Sequence, residues 1–175
     1  MEKSTHPELS LSPPSQTATS EDAQSQFDLG VKFASATGAS QDFVQAAECY
    51  RKAASQSHAL AQFNLGVMYA EGQGMAVDAA ESLVWFGRSA RLGDAGAQIK
   101  LGDNLHYASL TQLPPVATES RIEAYKWYRL AAAQGYQTAE ISSGVLSMKM
   151  TREDVTAGNV RVAAFKIGLP ESETR

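Results

Sequence analysis

The sequence predicts an all-α protein, a short α/α solenoid (superhelix) of about four antiparallel helix pairs, and three observations predict it. First, a block of residues returns at a fixed interval. Gln26-Phe27-Asp28-Leu29-Gly30-Val31 recurs 36 residues later as Gln62-Phe63-Asn64-Leu65-Gly66-Val67, and Ala97-Gln98-Ile99-Lys100-Leu101-Gly102 follows Ala61 at the same interval. Second, another block moves in step. Cys49-Tyr50, Trp85-Phe86 and Trp127-Tyr128 are separated by 36 and then 42 residues, as are Ala53-Ala54, Ser89-Ala90 and Ala131-Ala132. Third, helix punctuation recurs with the blocks. Asp42 precedes Gln45, Asp78 precedes Glu81 and Ser120 precedes Glu123 by three residues, the spacing of a capping box. A period of this length is the signature of supersecondary units that stack to complete one another's cores.

Taken in order, residues 1–20 read as a disordered tail. Ser, Thr, Pro and Gln dominate from Ser10 to Ser20, leaving too few apolar residues to bury. The solenoid is expected over 21–168. Its repeats are placed at about 25–60, 61–96 and 97–138, with a terminal pair at 139–168 and a flexible end at 169–175. Each repeat starts with a helix (A) and continues with a second (B). In the second A helix, Ala61, Leu65, Met68 and Tyr69 share one helical face. In its B helix, Leu83, Phe86 and Ala90 do the same. Gly93 and Gly135 are expected to stop two B helices, and Ser57 stands in that place in the first repeat. Gly30, Gly66, Gly102 and Gly144 fall inside A helices, where glycine costs about 1 kcal/mol relative to alanine. Their recurrence points to a close helix crossing, so a bulky residue at Gly66 is expected to clash. The third repeat is longer. Its extra residues are assigned to a loop around 110–119, which holds Leu113-Pro114-Pro115. Thr151 and Asp154 form one more capping box, and the helix from there to Phe165 is expected to partner the last A helix, Thr138 to Met148.

Composition narrows the function. The 175 residues carry a net charge of −4, which is not the basic footprint that phosphate backbones demand, so no nucleic-acid partner is expected. No signal-peptide pattern opens the chain, and no run of about 18 apolar residues marks a membrane span, so a cytoplasmic protein without a membrane partner is expected. The single cysteine, Cys49, allows no internal disulfide and reads as a buried, inert thiol. His6, His58 and His106 do not pair at helical spacing, so no metal site is expected, and His58 and His106 read as surface residues. Gly72-x-Gly74 follows a helix and lacks the rest of any phosphate-loop motif, so it reads as a helix–helix turn. Trp85 and Trp127 are expected as inter-helix anchors. No nucleophile elbow and no poised acid pair is present in the sequence, so neither catalysis nor a cofactor is expected.

Ala61-x-x-x-Leu65-Gly66-x-x-Tyr69-x-x-Gly72-x-Gly74-x-x-x-Asp78, followed by Trp85-Phe86-x-x-Ser89-Ala90-x-x-Gly93, resembles the Sel-one-like repeat, a relative of the tetratricopeptide repeat with a longer inter-helix turn. The resemblance spans roughly residues 25 to 148. The first repeat departs from it, with Cys49 at the tryptophan position and no Gly-x-Gly after Phe33, and the third departs by its longer loop. The resemblance implies a right-handed superhelix that binds a partner protein or peptide in the concave groove lined by its A helices, acting as an adaptor or scaffold. Residues beside the Leu-Gly pair are then expected in the groove: Asp28, Val31, Phe63, Asn64, Val67, Ile99, Lys100, Asp103, Ile141 and Val145. Against this, Phe63, Ile99 and Ile141 are of a kind that completes packing between repeats, and Lys100 with Asp103 has the spacing of a local ion pair. Two further readings compete. A homo-oligomer would join exposed solenoid ends, which otherwise need polar caps. A β-lactam-binding hydrolase would follow from cysteine-rich secreted relatives, but those carry a disulfide in each repeat.

Overall fold

A computed structural model describes residues 22–36 and 42–165. The tail expected at 1–20 and the flexible end at 169–175 lie outside these. Among the described residues there are eight helices and no strand: α1 (Ala23–Ser35), α2 (Phe43–Ser55), α3 (Ala59–Glu71), α4 (Ala79–Arg91), α5 (Ala95–Thr111), α6 (Val116–Ala132), α7 (Gln137–Ser147) and α8 (Arg152–Ala164). Each helix from α2 to α6 packs on the one before and the one after, the nearest-neighbour pattern of a solenoid.

The glycines expected to permit close crossings do so in three pairs. A Cβ at Gly30 would sit 2.6 Å from the Tyr50 ring, one at Gly66 2.7 Å from Phe86, and one at Gly102 2.6 Å from Tyr128. Each of these three A helices thus carries a notch, and the second residue of the following B-helix pair (Tyr50, Phe86 or Tyr128) fills it. These aromatics, rather than the tryptophans, anchor the pair. Trp127 is buried one step away, among Phe86, Ala90 and Ala97, and Trp85 is half-buried against the first repeat. The tryptophans therefore tie a repeat to its predecessor. Cys49 stands at their position in the first repeat, is buried, and its thiol is pushed up by desolvation.

The helices start and stop where expected, with one exception, although of the expected capping boxes only that of Thr151 closes on both sides. Asp42 and Asp78 accept from the backbone of Gln45 and Glu81, and Thr151 with Asp154 closes a complete capping box. Ser57, Gly93 and Gly135 all take positive φ (61°, 94° and 90°), so the serine occupies the left-handed stop that glycine fills elsewhere. Gly74 turns in the same region, and its α-carbon passes so close to the start of α2 that a Cβ would meet the Phe43 carbonyl at 2.5 Å.

Ser120 is the exception. It lies inside α6, buried, and its hydroxyl donates to Gln112 Oε1 at 2.8 Å. The residues expected to form a loop at 110–119 instead lengthen the helices on either side. α5 and α6 each have 17 residues where α3 and α4 have 13, leaving only Gln112 to Pro115 between them. Extra helical turns satisfy their own backbone groups, which a loop of that length would not.

The chain's end departs from the expected pattern. The main partner of α8 is α6, and its contact with α7 is slight. A Cβ at Gly158 would lie 2.5 Å from the Tyr125 ring, the Tyr125 hydroxyl donates to Asn159 at 3.2 Å, and Arg161 reaches both Glu119 and Glu123. Phe165 ends the strap edge-on to Trp127, ring centroids 5.6 Å apart. So α8 runs along α6 from Glu119 to Trp127.

Candidate functional site

The A helices begin with a recurrent cap. Asp22, His58 and Asp94 occupy one repeat position, and each side chain accepts the backbone N–H three residues on. His58 is half-buried rather than a plain surface residue. Its Nδ1 takes the Ala61 N–H, its Nε2 lies 3.2 Å from Gln24 Oε1, and its ring stacks on Phe27 at 4.6 Å. Burial pushes the Asp94 carboxyl up, while the backbone N–H groups of Ala97 and Gly96 pull it down. His106 is also half-buried, with Nδ1 enclosed and no hydrogen-bond partner. Two glutamines complete the joints between repeats. Gln62 donates to the Ala54 carbonyl and Gln98 to that of Ala90, at 3.1 and 3.2 Å. Sequence reasoning passed over these joints, although both glutamines stand inside the repeated block.

The ten residues expected in a groove divide into two groups. Phe63 and Val67 pack into the cluster of Phe86, Ala90, Ala97 and Trp127, with the Phe63 and Phe86 rings 5.5 Å apart. Ile99 packs against Ala95, Ala131 and Ala139. Asn64 is half-buried and hydrogen-bonds the Tyr50 side chain, opposing the burial that pushes the Tyr50 phenol up. These four serve packing between helices. Asp28, Val31, Lys100, Asp103, Ile141 and Val145 are exposed. Even so, Asp28 accepts from Gln24, and Asp103 accepts the Tyr128 hydroxyl at 2.8 Å rather than pairing locally with Lys100. Burial, reinforced by that carboxylate, drives the Tyr128 phenol well above its ordinary range.

An exposed apolar surface lies where a loop was expected. On α5, Tyr107 follows Lys100 and Leu110 follows Asp103 by seven residues, two turns on the same face. Tyr107 is 69% and Leu110 64% exposed, and the turn beyond adds Leu113 at 82% and Val116 at 55%. Four large apolar side chains left in water within ten residues form the kind of patch that marks an interaction surface. The sequence carries the signal as Tyr107 in phase with Lys100 and Leu110 in phase with Asp103, but a loop assigned to 110–119 leaves it unread. Among the described residues no group of His, Cys, Asp and Glu gathers as a metal site would require, and no helix is long and apolar enough to cross a membrane.

Among the described residues, three successive helix pairs with a glycine notch on the A helix and an aromatic of the B helix filling it define an α/α repeat protein. A profile of the Sel1 repeat matches residues 23–58, 59–94 and 95–136, and the chain belongs to that family. Sel1 repeats typically mediate protein–protein interactions and are generally non-catalytic scaffolds. The fold is similar to that of a protective antigen present in uropathogenic Escherichia coli strains, displaying an SLR fold: 24% identity, TM-score 0.66, covering 82% of this chain and 30% of that one. It is also similar to a Sel1 repeat protein from Oxalobacter formigenes: 26% identity, TM-score 0.62, covering 77% and 56%. The chain therefore spans less than two thirds of either relative. No curated protein matches it.

Proposed function

We propose that this chain is an adaptor or scaffold that holds a partner protein or peptide against the exposed face of its A helices, centred on the lengthened α5. The patch of Tyr107, Leu110, Leu113 and Val116 carries the reading. Large apolar side chains without a covering element supply the desolvated core of an interface, and the neighbouring Lys100 and Asp103 supply its polar rim. Asp28 and Val31 extend the same kind of surface on α1. Phe63, Val67 and Ile99 support it from beneath by fixing the spacing of neighbouring repeats.

The test is affinity capture from the native host with the full chain, alongside a Tyr107→Ala/Leu110→Ala variant and a Lys100→Glu variant. All are first checked for an unchanged thermal transition. A stoichiometric partner that crosslinks near Lys100 and is lost from the double variant supports the reading. A partner retained equally by all three chains places binding elsewhere.

A further inference from the structure

We infer that the outer face of α7 is a second docking site, built to receive an amphipathic helix of another protein that sets a Tyr or Phe over Gly144 and ends in a basic turn. Three copies of such a site exist inside this chain, each already filled. Gly30, Gly66 and Gly102 receive Tyr50, Phe86 and Tyr128. Gly144 stands 42 residues after Gly102 at the same repeat position, and among the described residues nothing lies within 4 Å of a Cβ placed there.

Around this empty notch the face is apolar. Ile141, Val145 and Met148 are 60%, 47% and 84% exposed, while Ala139, Ser143 and Leu146 on the opposite side of α7 are buried. Ile141 and Val145 are the counterparts of Ile99 and Asp103, and both of those meet α6. The face that greets a B helix in the third pair is thus present and uncovered in the fourth.

The chain's own last helix does not fit the notch. Tyr50 and Phe86 follow their caps Asp42 and Asp78 by eight residues, and the residue eight after Thr151 is Asn159, preceded by Gly158. Lacking the aromatic, α8 instead offers Gly158 to Tyr125 and lies on α6. A second copy has no helix to give either, because Tyr50, Phe86 and Tyr128 are each at most 5% exposed in their own pairs.

Charge indicates the direction of the guest. Glu140 is the only charged residue of α7. Its counterpart Gln98 is bonded by Gln134, just past the C-terminus of α6, so a guest docked the same way brings its last turn to Glu140. The B helices of this chain carry Lys52, Arg88 with Arg91, and Arg129 in that turn.

The probe is a fluorescein-labelled peptide with the sequence of residues 78–93 carrying Ala80→Glu and Val84→Lys, whose side chains are condensed into a lactam that holds it helical; both positions are exposed in the chain. Anisotropy with the intact chain should show saturable binding. It should weaken about ten-fold or more with Phe86→Ala in the peptide, or with Gly144→Leu or Val145→Glu in the chain, as loss of a central anchor does. Glu140→Lys should weaken it about three-fold, and the Tyr107→Ala/Leu110→Ala variant should leave it unchanged, which separates this site from the one proposed above. Gly144→Leu projects into open space, so its circular dichroism should match the parent. Absence of saturable binding, or binding indifferent to Gly144→Leu, overturns the proposal. So does a concentration-dependent dimer in sedimentation that Gly144→Leu abolishes, which would make the occupant a second copy.

Discussion

The second and the last helix pairs of this array start from the same A-helix design and end differently. In the second, Gly66 lies under Phe86, Ser82 donates to the Gly66 carbonyl at 2.7 Å, and Ser89 donates to that of Ala59 at 2.8 Å. In the last, Gly144 lies under nothing described, and α8 is tied to α6 by Tyr125, Glu119 and Glu123. A glycine is therefore not a crossing by itself. It becomes one only when the following helix brings an aromatic to it, as Tyr50, Phe86 and Tyr128 do. Where Gly158 and Asn159 take those positions, the chain folds back, and a surface built for burial faces water.

The sharpest way to test this contrast is truncation on both sides. Phe86→Ala should cost about 3–5 kcal/mol, the usual loss for a fully packed phenylalanine. Ile141→Ala, on an open face, should stay within about 0.5 kcal/mol of the parent. Thermal or urea unfolding measures both, and similar losses would mean that the α7 face is covered in solution.

Adding atoms should reverse the sign between the pairs. Gly66→Ala places a methyl 2.7 Å from the Phe86 ring, and overpacking of this kind costs about 1–3 kcal/mol. Gly144→Ala meets nothing and removes a mid-helix glycine, which should stabilise by up to about 1 kcal/mol. Two changes of the same sign would break the comparison.

The array itself was legible because its determinants are periodic: the Leu-Gly pairs, the B-helix pairs ending in Tyr50, Phe86 and Tyr128, and the caps at Asp42 and Asp78 recur in fixed phase. The ends of α5 and α6 were not legible. Leu113-Pro114-Pro115 reads as a loop, and only the helices flanking it reveal that the extra residues continue the α5 and α6 faces. The fate of α8 was half legible. Its capping box announced a helix, but its partner depended on Gly158 meeting Tyr125, a contact between residues far apart in sequence with no counterpart elsewhere in the array. The groove positions divide by repeat rather than by helix face: Val67 packs where Val31 is exposed, and Ile99 packs where Ile141 is exposed. Asp103, read as a groove residue or the partner of Lys100, instead accepts the Tyr128 hydroxyl.

Smaller effects should follow the A-helix starts. His58 caps α3, whereas Tyr136, at the same position before α7, makes no side-chain cap. His58→Ala should cost about 1 kcal/mol, and Tyr136→Asp should gain a similar amount by supplying the missing acceptor. Calorimetric transitions of the two variants should therefore move in opposite directions.

The smallest effect belongs to the clasp of α8. Arg161 bonds Glu119 and Glu123, and that contact holds the Glu119 carboxyl below its ordinary value of 4.5, slightly offset by desolvation. A carboxyl depressed in the folded state stabilises above its unfolded value and loses that stabilisation as pH falls through the folded one. The clasp should therefore hold at neutral pH and release below about pH 4.5. Its members are partly exposed, so Arg161→Ala should cost only about 0.2–1 kcal/mol at pH 7. The difference between Arg161→Ala and the parent should shrink in high salt and vanish in acid, because the parent has then lost the same interaction. Hydrogen exchange of α8 amides would report it directly: faster exchange in Arg161→Ala at neutral pH, converging on the parent as Glu119 protonates. A difference that persists unchanged into acid would mean that Gly158 on Tyr125 and Phe165 on Trp127 hold the strap without its charges.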